Sequence, residues 1–107
     1  MTAVLKAFSA LSDQTRMSIV EQLMAEGELA AGELIEGRGM SGAAISRHLK
    51  VLREAGLIRQ RVQGTHRLYT VDGQGLRAIA DWTISKRAFW EASLDRLDAA
   101  IIEEDQT

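Results

Sequence analysis

The hydrophobic period of this chain changes to two only once, and that single change constrains its fold more than any other feature. Up to about residue 55 the apolar residues recur at helical spacing. Residues 57–62 and 67–71 then alternate with a period of two around Gln63-Gly64-Thr65-His66, the pattern of a β-hairpin. From residue 76 to about 104 helical spacing returns, and no proline interrupts it. No later strand follows, so the hairpin cannot grow into a βαβ unit.

The first part divides into four helices. Val4, Leu5, Phe8 and Leu11 lie on one face of the first. Ser12 or Asp13 can cap the second, whose apolar face is Met17, Ile19, Val20, Leu23 and Met24, and Gly27 ends it. A short helix near 30–35 turns Ala30, Leu34 and Ile35 inward and closes at Gly37. Ser41 caps a fourth helix running to about Ala55, where Gly56 supplies a left-handed stop. After the hairpin, Leu76, Ile79, Trp82, Phe89, Trp90, Leu94, Leu97 and Ile101 form one apolar side of either one long helix or two with a kink near 83–85. Helix, helix, short helix, helix, hairpin, long helix is the order of a winged helix-turn-helix. The expected fold is mainly α with a small hairpin wing, as one domain over residues 1–107.

The length, 107 residues, suits that single domain. The chain has no cysteine, which removes disulfides, thiolate metal sites and a cysteine nucleophile. Its start lacks the features of a signal peptide and no apolar run is long enough to span a membrane, so a soluble cytoplasmic protein is expected. The net charge of −2 argues against a nucleic-acid partner until its distribution is considered. Between Arg38 and Arg67 seven cations (Arg38, Arg47, Lys50, Arg53, Arg59, Arg61, Arg67) meet one anion, Glu54, which makes that stretch +6 and the remainder −8. Salt screens charge beyond about 8 Å, so a bound phosphate feels the local excess.

On a wheel at about 100° per residue, Ile45, Leu49 and Leu52 share a narrow inward sector of the 41–55 helix. Ala43, Ser46, Arg47 and Lys50 lie opposite, with Arg53 on the flank. Small residues at the N-terminal end and long cations further along suit entry into a major groove. Arg47 is the candidate base reader, because its guanidinium can bond guanine through two hydrogens. Ser46 suits a base or a phosphate, and Ser41 is first an N-cap. His48 lies at the edge of the apolar sector, either packed or contacting a phosphate. In the hairpin Arg61, Gln63, Thr65, His66 and Arg67 surround Gly64, a ribbon able to lie along a minor groove or backbone.

The stretches AFSALSDQTRMSIVEQL and SGAAISRHLKVLREAGLIRQRVQGTHRLYTV resemble the ArsR/SmtB family of bacterial winged-helix repressors, most specifically LSD-x-TR at 11–16 and S-x-HLK-x-L-x-x-AGL at 46–57. The resemblance covers most of residues 3–72. It implies a homodimer built on the first and last helices that binds an inverted repeat in double-stranded DNA and represses transcription. It also implies that Ser41, Gly42, Ala43, Ser46, Arg47 and His48 face DNA, with the 61–67 wing beside them. Gln14 departs from the family's usual proline at the first helical position, which weakens that helix start slightly. For dimerisation the candidates are Val4, Leu5, Phe8, Trp82, Phe89, Trp90, Leu94, Leu97 and Ile101, an apolar surplus beyond what so small a core needs. A ligand pocket between the paired helices is compatible with that burial. It would couple occupancy to the spacing of the recognition helices, giving a repressor released by a small apolar inducer.

Members of this family often sense metals through cysteines in the third helix or Asp/His pairs in the last. Here the corresponding stretch reads GELAAGEL without cysteine, the only histidines are His48 and His66, and residues 67–107 contain no histidine. FWEASLDRLDAAI resembles a metal-free branch, and the expectation is no metal site and no cofactor. A carboxylate-only site from Asp95, Asp98, Glu103 or Glu104 is the remaining alternative. Catalysis is not expected: Ser46 and His48 point to different helix faces, and Ser41 lies about two turns from His48. Two glycine motifs also fail as dinucleotide fingerprints. Gly37, Gly39 and Gly42 follow a short helix rather than a strand, and Gly73-Gln74-Gly75-Leu76-Arg77-Ala78 has no later strand to complete its unit. A winged helix that docks protein instead of DNA is the rival reading, and the basic 38–67 face argues against it.

Overall fold

The computed structural model describes residues 2–106, with side chains through Glu104. Eight elements follow in order: α1 (Ala3–Leu11), α2 (Gln14–Glu26), β1 (Leu29–Ala30), α3 (Ala31–Ile35), α4 (Gly42–Glu54), β2 (Ile58–Gln63), β3 (His66–Val71) and α5 (Gly73–Gln106). The winged helix-turn-helix order read from the sequence is therefore present.

Local chemistry sets the boundaries. Asp13 rather than Ser12 caps α2, its carboxylate accepting from the Arg16 backbone N–H at 3.1 Å. At α3 the Glu33 carboxylate reaches back to the Ala30 N–H at 3.0 Å, half of a capping box, since alanine has no oxygen to return the bond. Ser41 caps α4 by accepting from Ala44 N–H at 3.1 Å. At its other end Gly56 adopts φ 71°, with Leu57 N–H bonded to Leu52 C=O and Gly56 N–H to Arg53 C=O, each at 3.0 Å. That pair of bonds is a Schellman stop.

The sheet holds three strands in the order β1-β3-β2, all antiparallel. The hairpin reaches one rung beyond the expected strands, to Gln63 opposite His66, so Gly64 and Thr65 alone make the turn. Gly64 has φ 61° and among the described residues no other residue type has positive φ, so Thr65 does not, which is the φ pattern of a II′ turn. β1 was not expected: Leu29 pairs with Tyr69 and Ala30 with Leu68. Two residues are too few to display a period.

The core gathers Ile19, Val20 and Leu23 of α2, Leu34 of α3, Ile45, Leu49 and Leu52 of α4, and Leu57, Ile58 and Tyr69 of the sheet. The inward sector expected for α4 is fully buried. One expectation is corrected. Met17 and Met24 are 44% and 62% exposed, because they lie roughly 100° around α2 from its buried centre. In α1 the buried residues are Ala7 and Ala10, which no expectation covered; their small side chains let the helix approach closely, while the dimerisation candidates Leu5 and Phe8 face out. Of the short helix only Leu34 is fully buried, with Ala30 and Ile35 half-buried.

α5 is one helix, not two. At the suspected kink the Thr83 hydroxyl donates to Ile79 C=O at 2.9 Å and the Ser85 hydroxyl to Trp82 C=O at 2.8 Å, leaving the helix unbroken. Its 34 residues extend about 51 Å. Only its root touches the core, through Gly75, Leu76 and Ile79. Trp82 still meets α1 at Phe8, beyond which α5 is almost wholly exposed, and among the described residues no helix is long and apolar enough to cross a membrane.

Candidate nucleic-acid interface

Burial of Ile45, Leu49 and Leu52 forces the opposite face of α4 outward, and Ala43, Ser46, Arg47, Lys50 and Arg53 are all exposed there. Gly42 is exposed at the first turn, where an added Cβ would make only ordinary contact with Ile35 Cδ1 at 3.6 Å. Ser41 satisfies one of the first N–H groups, and the helix dipole leaves the rest of this end attractive to an anion. The side chains of Arg47 and Arg53 have no ion-pair or hydrogen-bond partner among the described residues. Lys50 lies 4.0 Å from Glu54, and both ends of that pair are well solvated.

His48 belongs to a different environment from its neighbours. Its side chain is 20% exposed, with Nδ1 at 3.3 Å from Arg16 Nη1 and 3.8 Å from Asp13 Oδ2. A guanidinium N–H aimed at Nδ1 makes that nitrogen the acceptor in the neutral ring and leaves the proton on Nε2. Arg16 also donates through Nε to Ala10 C=O at 2.6 Å and through Nη2 to Ser9 C=O at 3.3 Å. One arginine thus closes the C-terminal carbonyls of α1 and meets α4. The Arg16 backbone N–H holds the Asp13 carboxyl below the usual range, assisted by the Arg16 and His48 side chains against an opposing desolvation. Reading the sequence assigned no role to Arg16, although its place three residues after the cap was visible in LSD-x-TR.

Two of the seven clustered cations are committed within the protein. Arg38 donates through Nε to Leu34 C=O, through Nη1 to Ser18 Oγ at 2.9 Å and through Nη2 to Gln22 Oε1, pinning the α3–α4 turn to α2. Arg61 makes a two-pronged pair with Glu28, Nε to Oε2 at 2.7 Å and Nη2 to Oε1 at 2.6 Å. That hydrogen bond lowers the Glu28 pKa and raises that of Arg61. Glu28 had no local signal, because 33 residues separate it from Arg61. At the tip of the wing Gln63, Thr65, His66 and Arg67 are exposed.

The candidates for dimerisation gather along one side. Phe8 meets Trp82 edge-to-face at 5.8 Å between centroids, and Phe89 meets Trp90 likewise at 5.5 Å. Val4 is half-buried, while Leu5, Phe8, Trp82, Phe89, Trp90, Leu94, Leu97 and Ile101 are exposed by 40% to 63%.

A helix-turn-helix with a cationic outer face on its second helix and a hairpin wing defines a DNA-binding transcriptional regulator. Comparison with known proteins agrees: a helix-turn-helix domain family matches residues 11–61. The HTH-type transcriptional regulator Rv2034 of Mycobacterium tuberculosis is 49% identical over 74 residues, covering 69% of this chain and 68% of that protein. The transcriptional repressor SdpR of Bacillus subtilis is 31% identical over 78 residues, covering 73% of this chain and 86% of the repressor. Coverage of other relatives falls to 51%, as for the arsenical resistance operon repressor of Escherichia coli. Among solved structures, the ArsR family transcriptional regulator RHA00566 superposes with a TM-score of 0.76 at 26% identity, over 83% of this chain and 91% of that one. The homodimeric winged helix-turn-helix DNA-binding domain Mb0332 from Mycobacterium bovis, a possible ArsR-family regulator, gives 0.62 at 26% identity, over 88% and 83%. The chain belongs to the ArsR/SmtB family of helix-turn-helix transcriptional regulators. It is a DNA-binding regulator and not an enzyme.

Proposed function

We propose that this chain is a cytoplasmic homodimeric repressor whose two α4 helices enter successive major grooves of an inverted repeat in promoter DNA, independently of metal. The observation that carries the reading is the division of α4 into a fully buried aliphatic side and an exposed side of small residues and cations. Ala43 and Ser46 leave room for close approach, and Arg47 reaches a guanine edge. Lys50 and Arg53 meet flanking phosphates, as do the first-turn groups of Ser41 and Gly42. His48 contributes by keeping α4 seated on Arg16 and Asp13. Gln63, Thr65, His66 and Arg67 lie along the adjacent groove or backbone.

Homodimerisation is supported by the exposed apolar stripe and by the homodimeric Mb0332 domain. The repressor relative SdpR supports the direction of regulation. Twofold symmetry would place the half-sites about one helical turn apart, roughly 34–36 Å. Metal independence is supported by the lack of cysteine in the sequence and by the tie of one of its two histidines to Arg16.

The test is a gel shift with footprinting on promoter fragments, repeated across salt and with Zn²⁺, Cd²⁺ or arsenite, alongside sedimentation of the free protein. The expected result is a dimer protecting a palindromic site with steep salt dependence and no release by metal. A monomer, protection without twofold symmetry, or release at micromolar metal would each overturn the corresponding part of the proposal.

A further inference from the structure

The Arg61–Glu28 pair lies where support for the wing ends. Along the hairpin the last buried residue is Tyr69, paired with Gln60 and with Leu29 of β1. The next rung, Arg61 opposite Leu68, is also the last one that β1 reaches, through Ala30. Beyond it Val62, Gln63, Gly64, Thr65, His66 and Arg67 are all exposed. A two-stranded ribbon without a packed face is marginal in water, so the direction of this tip depends on what grips its base.

Glu28 directly precedes β1, and Arg61 is on β2, so their side chains meet across the central strand of the β1-β3-β2 sheet. Both guanidinium bonds are short and parallel, a geometry that fixes orientation as well as separation. Arg59, the next outward residue on β2, has no side-chain partner among the described residues. Glu28 therefore engages one of two nearby arginines, and the one at the base of the free tip.

We propose that Glu28 is a positioning residue for the wing: by clamping Arg61 across the sheet it sets the angle at which the hairpin tip meets DNA. Arg61 then serves binding through this clamp and not as a phosphate contact. This rests on the reading of the wing as a DNA-contacting surface. The pair is solvated at its edges and adds little to global stability. Its effect is on the direction of the tip.

Three variants test the clamp: Arg61→Gln, Glu28→Gln, and the exchanged pair Glu28→Arg/Arg61→Glu. Binding to the footprinted site is measured by fluorescence anisotropy over a range of salt. Each single variant is expected to weaken binding by about three- to fivefold per protomer with the salt slope unchanged, and the exchanged pair to restore it. A salt slope lower by about 0.9 per protomer in Arg61→Gln would show a phosphate contact and overturn the proposal. Tighter, more salt-sensitive binding by Glu28→Gln would overturn it too, as would an exchanged pair that melts like the wild type yet fails to bind. Amide hydrogen exchange over residues 61–68 of the free protein reads the clamp without DNA. Exchange should quicken in both single variants and recover in the exchanged pair; unchanged rates would refute the clamp even if no DNA bound.

Discussion

Gly75→Ala is the single methyl group to which this fold should be most sensitive. At the root of α5 the Asp72 carboxylate accepts from Gln74 N–H at 3.0 Å, and Gly75 N–H donates to Gly56 C=O at 2.8 Å. A Cβ on Gly75 would lie 2.9 Å from Ala55 O, Gly56 O and Leu57 Cδ2. Two of these are backbone atoms of the α4 stop, which is itself held by bonds to Leu52 and Arg53. They cannot yield as the end of a flexible side chain would. Overpacking of this kind costs about 1–3 kcal/mol. Displacing the Gly56 bond adds about 1 kcal/mol, and the better helix propensity of alanine returns a similar amount. A net loss of about 2 kcal/mol follows, or roughly 8–16 °C in Tm for a domain of this size. Gly73→Ala is the control, because nothing lies within 4 Å of its Cβ. It should be neutral or slightly stabilising. Urea unfolding at matched protein concentrations, since association shifts apparent stability, separates the two. A Gly75→Ala protein within about 0.5 kcal/mol of wild type would refute the close approach.

Arg47→Ala should lose about 1–3 kcal/mol of specific DNA binding and relax preference at one base position, with unfolding unchanged. Footprinting with wild-type affinity would move base reading away from α4. Stability should also fall in acid, by a small amount because both groups are solvated, through two carboxyls, Asp13 and Glu28, held below their ordinary values of 3.8 and 4.5. Their stabilisation is complete above about pH 5, shrinks as pH falls through those values and is gone below the depressed ones. Asp13→Asn/Glu28→Gln should flatten this acid limb in thermal melts between about pH 5 and 2, and an unchanged slope would exclude both groups.

Local rules made most of the fold legible. The Ser41 cap, the Gly56 stop and the spacing of Ile45, Leu49 and Leu52 are each decided within one helix, and the alternation around Gly64 within one hairpin. What could not be read depends on contacts between distant residues. Alanines bury as readily as leucines when two helices approach closely, so Ala7 and Ala10 form the inner face of α1, which no large apolar residue marks in the sequence. Gly75 belonged on paper to a failed nucleotide motif, and only its proximity to Gly56 explains it. Arg16 and Glu28 were missed for the same reason. Each acts on a partner that neither helical nor strand spacing points to.

The same distinction applies to charge. The sequence places seven cations between Arg38 and Arg67, but a cation bonded to the protein's own carbonyls or carboxylates offers less to a phosphate than its formal charge suggests. Arg38 is spent on Leu34, Ser18 and Gln22, and Arg61 on Glu28. The exposed cations of the cluster not engaged this way are Arg47, Lys50 and Arg53 on α4 with Arg59 and Arg67 on the hairpin. The committed arginines hold that set in place. Arg38 pins the turn before α4, Arg16 meets the helix at His48, and the bonds of Asp72 and Gly75 to Leu57 and Gly56 fasten its far end to α5. In the proposed dimer, α4 therefore has little freedom to adjust to half-sites of the wrong spacing. In that dimer the separation of the two α5 roots would set the operator spacing it accepts.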